Sequence, residues 1–150
     1  MAMITLEAFG EKIADLFPRV ARGIARYENN YLTKGAITLP QLWTLHYLLR
    51  QKGSSMRELA EFMKLGFSST TGLVDRLEKQ GLVERRRTET DRRMVYVEIS
   101  AKGRHVLKQI FNQKYKATIK VFGTLTAQER SEYLHILEKL VAKLSENKES

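Results

Sequence analysis

Past Gly81 the apolar pattern of this 150-residue chain changes its period, and no other feature limits the fold so tightly. Before that point, Ser55-Met-Arg-Glu58 has the S-x-x-E form of a capping box and opens a short helix with Met56, Leu59, Ala60 and Met63 on its inner face. A connection, Lys64-Leu65-Gly66-Phe67, leads to a second helix predicted from Ser68 to Gln80, with Thr70, Leu73, Val74 and Leu77 inward and Gly81 placed to end it. After Gly81 the period falls from 3.6 to 2. Leu82–Arg87 reads as one strand; in Met94–Ile99, Val95, Val97 and Ile99 point one way while Met94, Tyr96 and Glu98 point the other. The polar stretch Thr88–Arg93 suits a hairpin tip. Two short helices joined by a tight, Gly-containing turn and followed by a β-hairpin describe a winged helix-turn-helix.

Helices are expected on both flanks. Phe9, Ile13, Leu16, Phe17, Val20, Ile24, Tyr27 and Tyr31 form one apolar stripe, with Pro18 expected to kink that helix near its first turns. Thr38-Leu-Pro-Gln41 is a second capping box, and Leu42, Leu45, Leu48 and Leu49 follow as a buried face. Beyond the hairpin, one helix covers about Ala101–Phe122. Another opens at the capping box Thr126–Glu129 and carries Leu134, Leu137, Val141 and Leu144 at heptad-like spacing, with Ser145–Ser150 expected to fray. The fold class is therefore mainly α with a small β-hairpin wing, read as a single domain over 1–150. Its lobe lies at about 36–103, and helices at about 4–34 and 104–146 flank it. Those stripes leave more apolar surface than one subunit can cover, so dimerisation is expected, with Phe9, Ile13, Leu16, Leu137, Val141 and Leu144 at the interface.

The charge points to a polyanion. Lys and Arg exceed Asp and Glu by nine, and residues 50–108 hold 14 basic against 8 acidic side chains, two thirds of that surplus. Without cysteine the chain has no disulfide scaffold, zinc ribbon, iron–sulfur cluster or thiol switch. His46, His105 and His135 lack metal-ligand spacing, so no metal or cofactor is expected. Paired carboxylates, a phosphate-cradling glycine loop and a Ser/His/Asp arrangement are likewise missing, which argues against an enzyme such as a nuclease. Glu7, Glu11 and Asp15 interrupt any leader-like apolar core, and no run approaches a membrane span, so a cytoplasmic protein without membrane association is expected.

Three stretches carry a resemblance: Arg57-Glu58-Leu59-Ala60, Leu73-Val-Asp-Arg-Leu-Glu-Lys-Gln-Gly-Leu-Val83, and Asp91-Arg92-Arg93 through Ile99-Ser100-Ala-Lys-Gly103. Together they closely resemble the MarR family, the winged-helix multiple-antibiotic-resistance regulators of bacteria and archaea. The last stretch fits that family's D-x-R wing and following Leu-Thr-x-x-Gly, with Ile99 and Ser100 as mild departures. The resemblance implies a homodimer with interleaved first and last helices, bound to a roughly palindromic operator in double-stranded DNA. It also implies repression relieved by a small molecule.

The residue roles follow. Ser68, Ser69, Thr71, Gly72 and Arg76 lie where a recognition helix meets base edges, although Ser68 could equally serve as an N-cap. Arg92 and Arg93 at the hairpin tip suit a narrow minor groove, and the resemblance gives that role to Arg93. Asp91 is expected to orient these arginines by a charge-assisted hydrogen bond. Among Arg85, Arg86 and Arg87, one is expected to pair with Asp91 or Glu84, leaving Arg86 and Arg87 among the candidates for phosphate. Trp43, His46 and Tyr47 are the candidate contacts for a small aromatic or amphipathic effector, although aromatic residues at helical spacing are more often core than pocket. The competing function is a winged-helix module that binds protein and has only non-specific DNA affinity. Acidic residues on the recognition face would favour it, and Asp75 is the one clear case.

Overall fold

The computed structural model describes residues 3–146, in nine elements. In order they are α1 (Leu6–Ala25), α2 (Leu39–Gln51), β1 (Ser54–Ser55), α3 (Met56–Met63), α4 (Phe67–Lys79), β2 (Val83–Arg87), β3 (Val95–Ile99), α5 (Ala101–Phe122) and α6 (Ala127–Glu146). The chain forms two compact units, Glu28–Lys114 and a second built from the segments up to Tyr27 and from Tyr115 onward. The first unit contains the lobe read from the sequence, and the second contains α1 and α6. The lobe also extends past residues 36 and 103, because Val106, Leu107 and Ile110 of α5 are buried in its core and Glu28 and Asn30 are buried too.

All three capping boxes form. Thr38, Ser55 and Thr126 each accept from the amide three residues on, while Gln41, Glu58 and Glu129 reach back to the capping residue's amide. In the Glu28–Lys114 unit, Leu45, Leu48, Leu59, Leu77, Leu107 and Ile110 are almost wholly buried with Val74, Val97 and Val106. Leu49, expected to be buried, is 41% exposed; Gln41 and Thr44 are buried instead. Burial costs Thr44 little because its hydroxyl donates to the Pro40 carbonyl at 2.9 Å. The buried Glu28 carboxylate accepts from Asn30 at 3.0 Å and from Lys114 at 3.3 Å.

The hairpin is part of a three-stranded antiparallel sheet in the order β1-β3-β2. β2 and β3 pair from Val83↔Ile99 to Arg87↔Val95, while the unanticipated β1 pairs Ser54↔Val97 and Ser55↔Tyr96. Gly81, at φ +73°, ends α4 in a Schellman turn, with Leu82 N–H on the Leu77 carbonyl and Gly81 N–H on the Glu78 carbonyl. Gly103 has a different reason to be glycine: a Cβ there would lie 2.1 Å from the Leu82 carbonyl oxygen. Ser100, bonded to the Gly81 carbonyl and the Gly103 amide, fixes that close approach.

Other boundaries differ from the sequence reading. α1 ends at Ala25, so Tyr27 and Tyr31 fall outside it; the Asn30 carboxamide captures the amides of Leu32 and Thr33 and makes a turn there. Pro18 sits in the middle of α1, not near its first turns, and the helix continues through it. Ser145 and Glu146 belong to α6 rather than to a frayed end, and 147–150 lie outside the described residues. Within the other unit, neither α1 nor α6 buries a residue, so their apolar stripes stand exposed.

Candidate nucleic-acid interface

The helix-turn-helix is α3 and α4. Its turn is made by Lys64 in the left-handed conformation (φ 51°), while Gly66 is extended and serves as the N-cap of α4. Ser68 is therefore inside the first turn and is not the cap. No side chain caps α4, which leaves its first amides without a side-chain acceptor. Thr70, Leu73, Val74 and Leu77 are buried, as the periodicity predicts. Ser68, Ser69 and Arg76 stand exposed, with Thr71 and Gly72 half-buried beside them. The Thr71 hydroxyl donates to the Phe67 carbonyl at 2.9 Å, so toward a ligand it offers only an acceptor. Gly72 has no need of glycine for its backbone or its packing, since a Cβ there would meet only an Arg76 nitrogen at 3.6 Å.

The basic strand divides its arginines in a way the sequence did not disclose. Arg85 is held by two carboxylates of α4: its Nη2 lies 2.5 Å from Asp75 Oδ1, and its Nη1 donates to Glu78. Its pKa is raised; burial works to lower it, but the Asp75 hydrogen bond and the charges of Glu78 and Asp75 outweigh that. Neither Asp91 nor Glu84 binds Arg85; the pairing with Glu84 expected of one of the three arginines is made by Arg86. The clue available was that Asp75 and Glu78 are three apart, hence on one face of a helix. Arg86, on the opposite face of β2, lies 3.4 Å from Glu98 and 3.8 Å from Glu84, so its charge is already shared. Arg87, Arg92 and Arg93 are exposed and have no ion pair among the described residues.

The wing between the strands is a structured turn. Thr88 donates its hydroxyl proton to the Asp91 carbonyl at 2.8 Å and accepts from the Asp91 amide at 3.3 Å. Asp91 Oδ1 accepts from the Arg93 backbone amide at 2.9 Å, and the Met94 amide closes on the Asp91 carbonyl. The carboxylate thus sets the backbone beneath Arg93, whereas the sequence reading has it orient the arginines by a charge-assisted hydrogen bond; among the described residues it grips no guanidinium. The effect is an Asx-type turn that presents Arg92 and Arg93 outward.

The effector candidates do not form one open set. Trp43 is 54% exposed, whereas His46 packs edge-on to Phe111 and Tyr47 stacks on Phe62 at 4.1 Å between centroids. The interface candidates Phe9, Ile13, Leu16, Leu137, Val141 and Leu144 are all exposed, from 36% at Leu137 to 67% at Leu144. In the same unit a cavity of about 780 Å³ is lined by Ile24, Tyr115, Ile119, Phe122, Tyr133 and Leu137 among others. Among the described residues no cluster of His, Asp and Glu could hold a metal ion, and no helix is long and apolar enough to cross a membrane.

Comparison with known proteins agrees with this architecture. A family model described as the MarR family matches residues 37–94. The HTH-type transcriptional regulator YsmB of Bacillus subtilis is 30% identical over 137 residues, which cover 89% of this chain and 91% of that relative. The transcriptional repressor MprA of Escherichia coli K12 is 27% identical over 120 residues, covering 79% of this chain and 68% of the relative. A solved MarR family protein from Bacillus stearothermophilus superposes with a TM-score of 0.76 at 27% identity, covering 95% of this chain and 99% of its own. With the motif residues of α3, α4 and the wing in place and a 30% identical relative spanning nearly its whole length, this chain belongs to the MarR family.

Proposed function

We propose that the protein is a sequence-specific, DNA-binding transcriptional regulator that acts in the cytoplasm as a homodimer on a palindromic operator. The observation that carries this reading is the sorting of the arginines. Acids neutralise Arg85 and share Arg86, while Arg87, Arg92 and Arg93 remain exposed and, among the described residues, unpaired at and beside a hairpin tip whose backbone Asp91 holds. Unpaired guanidiniums on a narrow, ordered projection suit a minor groove, where the potential is most negative. The start of α4, with no side-chain cap and with Ser68 and Ser69 exposed, suits the adjacent major groove and its phosphates. Asp75, the acid that would have favoured a protein partner, is engaged by Arg85, so that alternative loses its support.

Dimerisation rests on the exposed stripes of α1 and α6 and on the apolar cavity beside Leu137, surfaces a second copy can cover. Two recognition helices must then lie roughly 34 Å apart to enter successive major grooves. Repression is the sign suggested by relatives named as repressors. Relief by a small aromatic or amphipathic effector near Trp43, His46 and Tyr47 belongs to the same reading. Such a ligand lowers DNA affinity only by its preference for a different lobe spacing. The test is selection from a random duplex pool. Recovered duplexes should carry two inverted half-sites about 10 base pairs apart and bind two subunits, and recovery of unrelated sequences would refute the proposal.

A further inference from the structure

The first two turns of the recognition helix, Phe67–Val74, contain no charged residue and no carboxamide. The usual bidentate readers of guanine and adenine, Arg, Lys, Asn and Gln, are therefore missing from these two turns, and the nearest on the helix is Arg76, exposed in the third. What remains in those turns is Ser68 and Ser69, whose hydroxyls bond to donors and acceptors alike, Thr71, whose hydroxyl donates to the Phe67 carbonyl and offers a ligand only an acceptor, and Gly72, which has no side chain. Phe67 is the exception. It is the first residue of α4, 65% exposed, one turn before Thr71 and outside the buried face of Thr70, Leu73, Val74 and Leu77. It joins none of the ring pairs found among the described residues.

The structure assigns Phe67 as a specificity-determining residue that reads thymine, its ring placed to contact 5-methyl groups in the major groove. Hydroxyls on this helix hold position, and the apolar ring supplies a preference no hydroxyl can: the thymine methyl is the one apolar group on a major-groove edge. The inference rests on the reading of α4 as a recognition helix. Its prediction is an operator with thymine at symmetric positions facing the start of each α4.

The test uses the full chain and the duplexes it selects from a random pool. Each thymine is replaced singly by deoxyuridine, which removes only the methyl group. At the Phe67 position the wild-type affinity should fall about fourfold per methyl, the worth of one buried methylene group. Phe67→Ala should be indifferent to the same replacement, and Phe67→Leu should keep part of the sensitivity. Because the ring is exposed, both variants should melt with the wild type; if Phe67→Ala fails to fold, Phe67→Leu carries the comparison. Wild-type indifference at every thymine, or sensitivity that persists without the ring, overturns the assignment while leaving DNA recognition intact. Failure to select any sequence overturns the DNA-binding reading itself, and the assignment with it.

Discussion

Replacing Arg85 by Met tests whether the wing is anchored to the recognition helix by charge. The substitution keeps the aliphatic stem and removes the guanidinium that joins β2 to Asp75 and Glu78 of α4. Arg85 is 25% exposed and its two partners 49% and 42%, so water screens each pair substantially. Pairs of this kind contribute about 0.2–1 kcal/mol apiece. Two of them sharing one guanidinium, with its partial desolvation set against them, should stabilise the fold by about 1 kcal/mol. For a chain of this length that lowers Tm by about 2–4 °C. The assay is a double-mutant cycle of Arg85→Met with Asp75→Asn, read by urea unfolding at low and high salt. We expect a coupling of about 0.5–1 kcal/mol that shrinks toward 1 M salt, where the screening length is about 3 Å. Arg85→Met should also bind DNA more weakly, though Arg85 touches none, because the base of the wing loses its tie and two carboxylates lose their counter-charge. Coupling below about 0.3 kcal/mol, within ordinary additivity error, together with unchanged DNA affinity, would refute the reasoning.

Three further outcomes are expected. Arg93→Ala should cost about 1–3 kcal/mol of operator binding with oligomeric state unchanged in sedimentation; wild-type affinity would remove the wing from the interface. Replacing Leu137 and Leu144 together by Lys should give monomers or insoluble chain, and a stable dimer would place the interface elsewhere. The Ser55 amide and hydroxyl hold the Glu58 carboxyl below the ordinary value of 4.5, against a small opposing effect of burial. A depressed carboxylate contributes stability above its unfolded pKa and loses it as pH falls through the folded one. Glu58→Gln should therefore melt below the wild type at neutral pH, with the difference closing under about pH 4.5; a pH-independent difference contradicts this.

What the sequence disclosed was local. Capping boxes at Thr38, Ser55 and Thr126 were legible because each box is closed by residues three apart, and the change of period at Gly81 located both the recognition helix and the hairpin. Features set by distant partners were not. β1 is two residues long and carries no period of its own; only its pairing with Val97 and Tyr96 makes it a strand. The stripe in α1 runs on to Tyr31 in apolar period, but a carboxamide at Asn30 overrides it by capturing backbone amides. The fates of Arg85, Arg86 and Arg87 depend on which acids lie across the sheet and along α4, and three adjacent arginines look alike in one dimension. Phe67 was hidden for a related reason: it read as part of a connection until the helix was seen to begin with it.

The central claim is that a winged helix with unpaired arginines at its tip recognises a particular DNA sequence. At a net charge of +9, binding to any duplex is expected, so affinity alone decides nothing. The direct measurement compares, at about 150 mM salt, a selected palindromic duplex with a scrambled one of equal length and composition. The account predicts a preference of about 10³ or more for the selected duplex, with two subunits bound. Equal affinities that fall together as salt rises would contradict it.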